Sequence, residues 1–248
     1  MPTTWLAARP TRLSVVVVSV LVDRIMSGEY AAGTLLPPEL ALCEEFEVSR
    51  SVIRETVKAL EEKGMVRARQ GHGTTIAPRD EWNLLDPVVL DAAVRHDDTL
   101  GILDEVVEAR GALESRMVRS AARRMTNADL EELALTLRQL ESEIKAPERY
   151  HETDIRFHDL ILRCSGNSLG RSIIRSIHPF ARASSRYSPP MAEEDLRQSL
   201  VEHTAIYERL AARDPEGAAA AMEEHITGSW KIRKEKGSRA RSESGAVR

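Results

Sequence analysis

Residues 35–78 read LLPPELALCEEFEVSRSVIRETVKALEEKGMVRARQGHGTTIAP, and the punctuation of this stretch leaves few folds open. Gly33 to Pro38 makes a turn, and a helix starts near Glu39 with Leu42, Cys43 and Phe46 as its apolar stripe. After a short break at Glu47 and Val48, Ser49 occupies an N-cap position. Ile53, Val57 and Leu60 then recur at helical spacing until Gly64 stops the helix. Two short β-prone runs flank Gly71-His72-Gly73 and read as a hairpin. A further helix over about 12–27, ended by Gly28, precedes all of this. Helix, helix, tight break, helix, hairpin is the order of a winged helix-turn-helix, here assigned to 8–78.

Beyond Asp80 the character changes. The stretch EWNLLDPVVLDAAVRH reads as a linker running into a short helix, assigned to 79–98. No strand pattern follows. Helical segments run over about 99–125, 127–145, 147–165, 168–185, 193–213 and 215–235. Breaks at Thr126-Asn127, Pro147, Gly166-Asn167, Pro189-Pro190 and Asp214-Pro215 separate them. Only 4% of the chain is aromatic, and Ala, Leu, Glu and Arg dominate, which favours helices. The fold class is therefore mainly α: a winged helix-turn-helix followed by an all-α antiparallel bundle over 99–235. The Lys-, Arg-, Ser- and Gly-rich end, 236–248, is expected to be frayed.

Two cysteines, Cys43 and Cys164, make no disulfide framework and read as buried, reduced thiols. The apolar run over 14–22 is too short to span a bilayer and runs into Asp23 and Arg24. A cytoplasmic protein with no membrane partner is expected.

The net charge of −4 gives no sign of a nucleic-acid partner, so any such case rests on local charge. Residues 39–47 carry four acids and no base. Residues 50–79 carry seven bases against three acids, a surplus that falls on the second helix of the turn and on the wing. Arg50 lies in the first turn of that helix, and Arg54 lies one turn later on the same face. Docked in a major groove, both reach guanine edges or phosphates. Ser49 and Ser51 offer hydroxyls and helix N-terminal amides to a phosphate. His72, between two glycines, brings the wing backbone close to the minor groove.

These residues resemble the DNA-binding domain of the GntR family. The shared pattern is a Leu-Pro-x-Glu entry, a Val-Ser-Arg turn, an Arg-Glu pair four residues on, a Gly-Leu-Val-like exit and a Gly-x-Gly wing. The resemblance implies recognition-helix roles for Arg50 and Arg54 and wing contacts from His72, Gly73 and Thr74. It implies a homodimer on a palindromic double-stranded operator. One position departs: many members carry arginine directly after the entry glutamate, where this chain has Leu40, so an altered contact set is expected.

In the second half, TDIRFHDLILRCSGN places Asp154 and His158 at i,i+4 on one helix face. His203 and His225 lie on helical stretches with apolar neighbours. One carboxylate and three imidazoles suit Zn²⁺, with Ni²⁺ or Mn²⁺ as alternatives. This spacing is similar to the ligand spacing of the FCD effector domain, which accompanies GntR-type domains in the FadR subfamily. That resemblance implies a divalent transition metal in the bundle and a small carboxylate effector completing its coordination. Arg110 resembles the arginine that meets effector carboxylates; a plain i,i+4 pair with Glu114 is the alternative. Asn167, at a family-typical helix break, is carried as an effector contact that also suits a cap. The linker over 77–92 looks most like those of sugar-acid regulators of the galactonate type.

Three functions remain open on this reading. The first is a ligand-gated repressor that is not an enzyme. The second is a metal-dependent hydrolase or lyase with an accessory DNA-binding domain, and the third is a DNA-binding module with a structural metal.

Overall fold

Why each helix begins and ends where it does follows from local chemistry, and the sites rest on those boundaries. The computed structural model describes residues 10–179 and 192–245, which fall into two units, 1–99 and 100–248. In the first, α1 (Pro10–Met26) opens on proline and buries Val17, Val18, Leu21, Val22 and Ile25. The helix α2 (Glu39–Glu45) follows the double proline, and α3 (Arg50–Glu62) buries Val52, Ile53, Thr56 and Leu60. Gly64, at φ 71°, turns the chain out of α3 into β1 (Val66–Arg69). Antiparallel β2 (Gly73–Ile76) pairs Val66 with Ile76 and Arg69 with Gly73. Leu35 bridges to Thr75, and the Leu36 amide donates to the Thr74 carbonyl at 2.7 Å, so the turn before α2 is stitched to the far edge of the wing.

The stretch read as linker belongs to this unit. After a 3₁₀ turn (Arg79–Glu81), α4 (Pro87–Arg95) is capped by Asp86, whose carboxylate accepts from the Val88 and Val89 amides. Val89 and Ala92 enter the same core as Leu21, Ile53 and Leu60. Arg95 and His96 reach Asp23 of α1 at 2.6 and 3.1 Å. A nine-residue helix shows too few turns for its buried stripe to stand out in sequence.

The second unit is all helix among its described residues: α5 (Gly101–Arg124), α6 (Asn127–Ser142), α7 (Pro147–Cys164), α8 (Ser168–Ile177), α9 (Glu193–Ala211) and α10 (Pro215–Gly245). A capping box starts α6, with Thr126 and Asp129 satisfying each other's backbone amides. The helix α5 packs along α10, α9 lies against α10, and α7 sits between α5 and α6. Phe157, Ile161, Ile206, Leu210 and Met222 are fully enclosed.

Two helix ends and the burial of the cysteines differ from the sequence expectation. The eighth helix stops at Ile177, not 185, and the expected break at Pro189-Pro190 lies outside the described residues. The last helix runs on to Gly245 where a frayed end was expected. Proline is absent there, and just before it Lys234 and Lys236 dock on Asp104 and Asp195. Cys43 and Cys164 are free thiols, each half-buried, not buried. No helix among the described residues is long and apolar enough to cross a membrane.

Candidate metal centre and DNA-reading surface

On the first unit the exposed start of α3 is built for an anion. Ser49 sits at the N-cap in extended conformation, but its hydroxyl does not cap; it pairs with the Ser51 hydroxyl at 2.8 Å. The first amides of the helix are thereby left for an incoming acceptor. Arg50, Ser51 and Arg54 are exposed beside it. Among the described residues the Arg50 and Arg69 side chains have no ion-pair or hydrogen-bond partner. Lys63 and Arg67 are committed to Asp86 and Glu81, and Arg54 and Lys58 pair with Glu39 and Glu62, so much of the basic surplus is engaged within the unit. At the wing tip Gly71 and Gly73 both take positive φ and His72 stands exposed, while Thr74 is half-buried with its carbonyl tied to Leu36.

In the second unit three helices converge. Asp154 and His158 come from α7, His203 from α9 and His225 from α10, and one donor atom from each lies within 4.8 Å of the others. All four are buried, Asp154 and His203 completely. Asp154 Oδ1 stands 3.2 Å from His203 Nε2. His158 Nδ1 faces Glu114 Oε2 at 2.8 Å, and His225 Nδ1 faces Glu202 Oε2 at 2.8 Å. Burial works against the Glu114 charge, but Arg110 and His158 outweigh it and hold the carboxyl far below its ordinary range. An ionised Glu114 accepts a hydrogen bond from the His158 Nδ1–H, which leaves the Nε2 lone pair inward. His225, oriented likewise by Glu202, brings its Nε2 to 3.3 Å from that of His158. Two inward lone pairs at that separation, beside a buried carboxylate, fit a cation far better than they fit each other. Three imidazole nitrogens and one carboxylate oxygen are a borderline donor set of the kind divalent transition metals select.

Residues 105–228 match the FCD domain, and residues 13–76 match the bacterial regulatory proteins of the gntR family. The chain belongs to the GntR family. The Escherichia coli galactonate operon transcriptional repressor is 31% identical over 88% of this chain and 96% of the relative. A putative L-lactate dehydrogenase operon regulatory protein from the same organism is also 31% identical, over 88% and 85%. Both are named as regulators, and this GntR-family chain is a DNA-binding transcriptional regulator, not an enzyme. In fold alone it is similar to the Listeria monocytogenes regulator Lar, with TM-score 0.57 and 18% identity over 94% of this chain and 99% of that one.

The regulator's sequence-read donors, Asp154, His158, His203 and His225, are thus brought together. Arg110 is buried and does pair with Glu114, its Nε donating to Oε1 at 2.7 Å. Among the described residues its two terminal nitrogens have no hydrogen-bond partner. Asn167 is not part of the cluster: it is exposed, and its carboxamide oxygen accepts from the Gly170 amide as the cap of α8. A helix break supplies that geometry without any ligand. Sequence reasoning missed Glu114, Glu202 and His178, the last buried with its ring 5.8 Å from His158. For Glu114 the signal was its i,i+4 relation to Arg110; nothing marked the other two.

Proposed function

We propose that the regulator is a homodimeric repressor whose hold on a palindromic operator is released by a small carboxylate, a sugar acid, bound beside a divalent transition metal in the second unit. Zinc comes first among the candidates, with nickel or manganese as alternatives. The observation that carries this reading is the convergence of Asp154, His158, His203 and His225 with their donor atoms within 4.8 Å, wholly enclosed. Such an ion supplies Lewis-acid positions for carboxylate and hydroxyl oxygens. Arg110 supports the rest: a buried guanidinium held by one edge on Glu114 has its terminal fork available for a planar carboxylate. The operons named for the two bacterial relatives concern galactonate and L-lactate, both 2-hydroxycarboxylates. On DNA, Ser49, Arg50, Ser51 and Arg54 take the major groove and the phosphates beside it, and His72, Gly73 and Thr74 of the wing lie over the minor groove. The regulator acts from the cytoplasm.

The test is elemental analysis and thermal shift together. Purified full-length protein is expected to carry about one metal per chain, and galactonate or a related sugar acid is expected to raise its unfolding temperature. In His203→Ala both the metal and the shift are expected to be lost. Unchanged metal content in His203→Ala contradicts the ligand set, and no shift from any of a panel of sugar acids contradicts the effector class.

A further inference from the structure

Glu39 is an acid placed where a polyanion binds. It is the first residue of α2, and across the helix-turn-helix its carboxylate meets Arg54 of α3, whose Nε lies 3.1 Å from Oε2 and 3.3 Å from Oε1. Arg54 is held only by this edge; among the described residues its two terminal nitrogens have no partner. Glu39 also borders a cleft of about 590 Å³ whose other wall is the wing, at Arg69, Gln70, Gly71 and Gly73. The carboxylate therefore stands on the same side of the unit as the wing tip and the free end of Arg54. Both side chains are largely exposed, 44% and 67%, and an ion pair that open to water stabilises a fold little. A negative charge there also opposes phosphate binding. Neither stability nor affinity accounts for it, whereas orientation does.

We propose that Glu39 is a positioning residue for sequence readout: it holds Arg54 by the Nε edge, so that the Nη1–Nη2 end is presented to the O6 and N7 atoms of a guanine. A guanidinium free to rotate would settle on the nearest phosphate, which carries no sequence information. Clasped by Glu39, Arg54 loses rotamer freedom before DNA arrives and has its charge partly neutralised toward phosphates. The residue thus favours the right sequence over DNA in general. This rests on Arg54 being a base contact.

The experiment selects preferred sites from a random-sequence duplex library with the full chain as wild type, Arg54→Ala and Glu39→Gln. Each protein's affinity is then measured for the wild-type consensus and for a scrambled duplex, with thermal unfolding as a check on folding. Arg54→Ala is expected to lose a guanine preference at one symmetry-related pair of positions. Glu39→Gln is expected to lose that same preference and to bind the scrambled duplex more tightly, so that the consensus-to-scrambled ratio falls ~10-fold or more. A purely structural role would instead weaken both affinities alike. Glu39→Gln keeping the guanine preference while Arg54→Ala loses it overturns the proposal and leaves the Arg54 contact standing. If Arg54→Ala also keeps it, both readings fail.

Discussion

At Glu114 one carboxylate serves two groups, Arg110 through Oε1 and His158 through Oε2. A carboxylate behind a ligating imidazole fixes its tautomer and raises its basicity, and removing such a partner typically weakens metal binding ~10–100-fold. Glu114→Gln is accordingly expected to lower metal affinity by that order in a competition titration with a chromogenic chelator; wild-type affinity contradicts the assigned role. Glu114→Ala goes further, because it leaves the buried Arg110 charge uncompensated, with an expected destabilisation of about 3–5 kcal/mol. His158 was legible in the sequence because its spacing from Asp154, His203 and His225 resembles that of the FCD domain, with Asp154 and His158 on one helix face. The contact with Glu114 spans 44 residues, and no local pattern says that α5 and α7 meet there. Asn167 lies at a helix break, where a polar side chain suits a cap, and its carboxamide oxygen does cap α8.

Among the elements, the junction between α3 and the wing turns on Gly64. A Cβ at that position would lie 2.3 Å from the Glu81 carbonyl oxygen, and φ is already positive. Gly64→Ala is expected to cost about 1–2 kcal/mol for the left-handed backbone, with about 1–3 kcal/mol more from crowding. Chemical unfolding of the first unit measures this, and a loss below 1 kcal/mol contradicts the account. The clasp of α4 on α1 makes a pH prediction. Burial works to raise the Asp23 carboxyl, but hydrogen bonds from Arg95 and His96 outweigh it and hold the group below the ordinary 3.8. A depressed folded-state pKa means the clasp stabilises fully above the unfolded value and is lost as pH falls through the folded one. At 33% side-chain exposure the effect stays within about 1 kcal/mol. The stability gap between wild type and Asp23→Asn is expected to be open at pH 7 and to close below about pH 4. A gap independent of pH contradicts it. The three helices and hairpin of the first unit were legible because glycine, proline and serine mark their ends; the short helix α4 was expected too, but not its place in this core, since its burial depends on a partner helix some seventy residues earlier.

For the whole molecule, two units carry two chemistries. The first unit was legible as an ordered set of local signals, while the four donors of the second, spread over three helices, were read as one set only through the family resemblance. On the proposed function, the choice of effector would depend on the shape of the surroundings of Arg110 and the four-donor cluster, which no spacing of residues encodes. Coupling between the halves is the central claim, and ligand-induced coupling is typically about 1–3 kcal/mol, or ~5–150-fold in affinity. Fluorescence anisotropy of the metal-loaded, full-length protein on a selected duplex, titrated with galactonate and then with other sugar acids, measures it directly. The account predicts that one of these acids weakens operator binding at least ~5-fold, and that the effect vanishes when the metal is removed by chelation or by His203→Ala. Operator affinity that no sugar acid changes, or that changes equally without the metal, would contradict it.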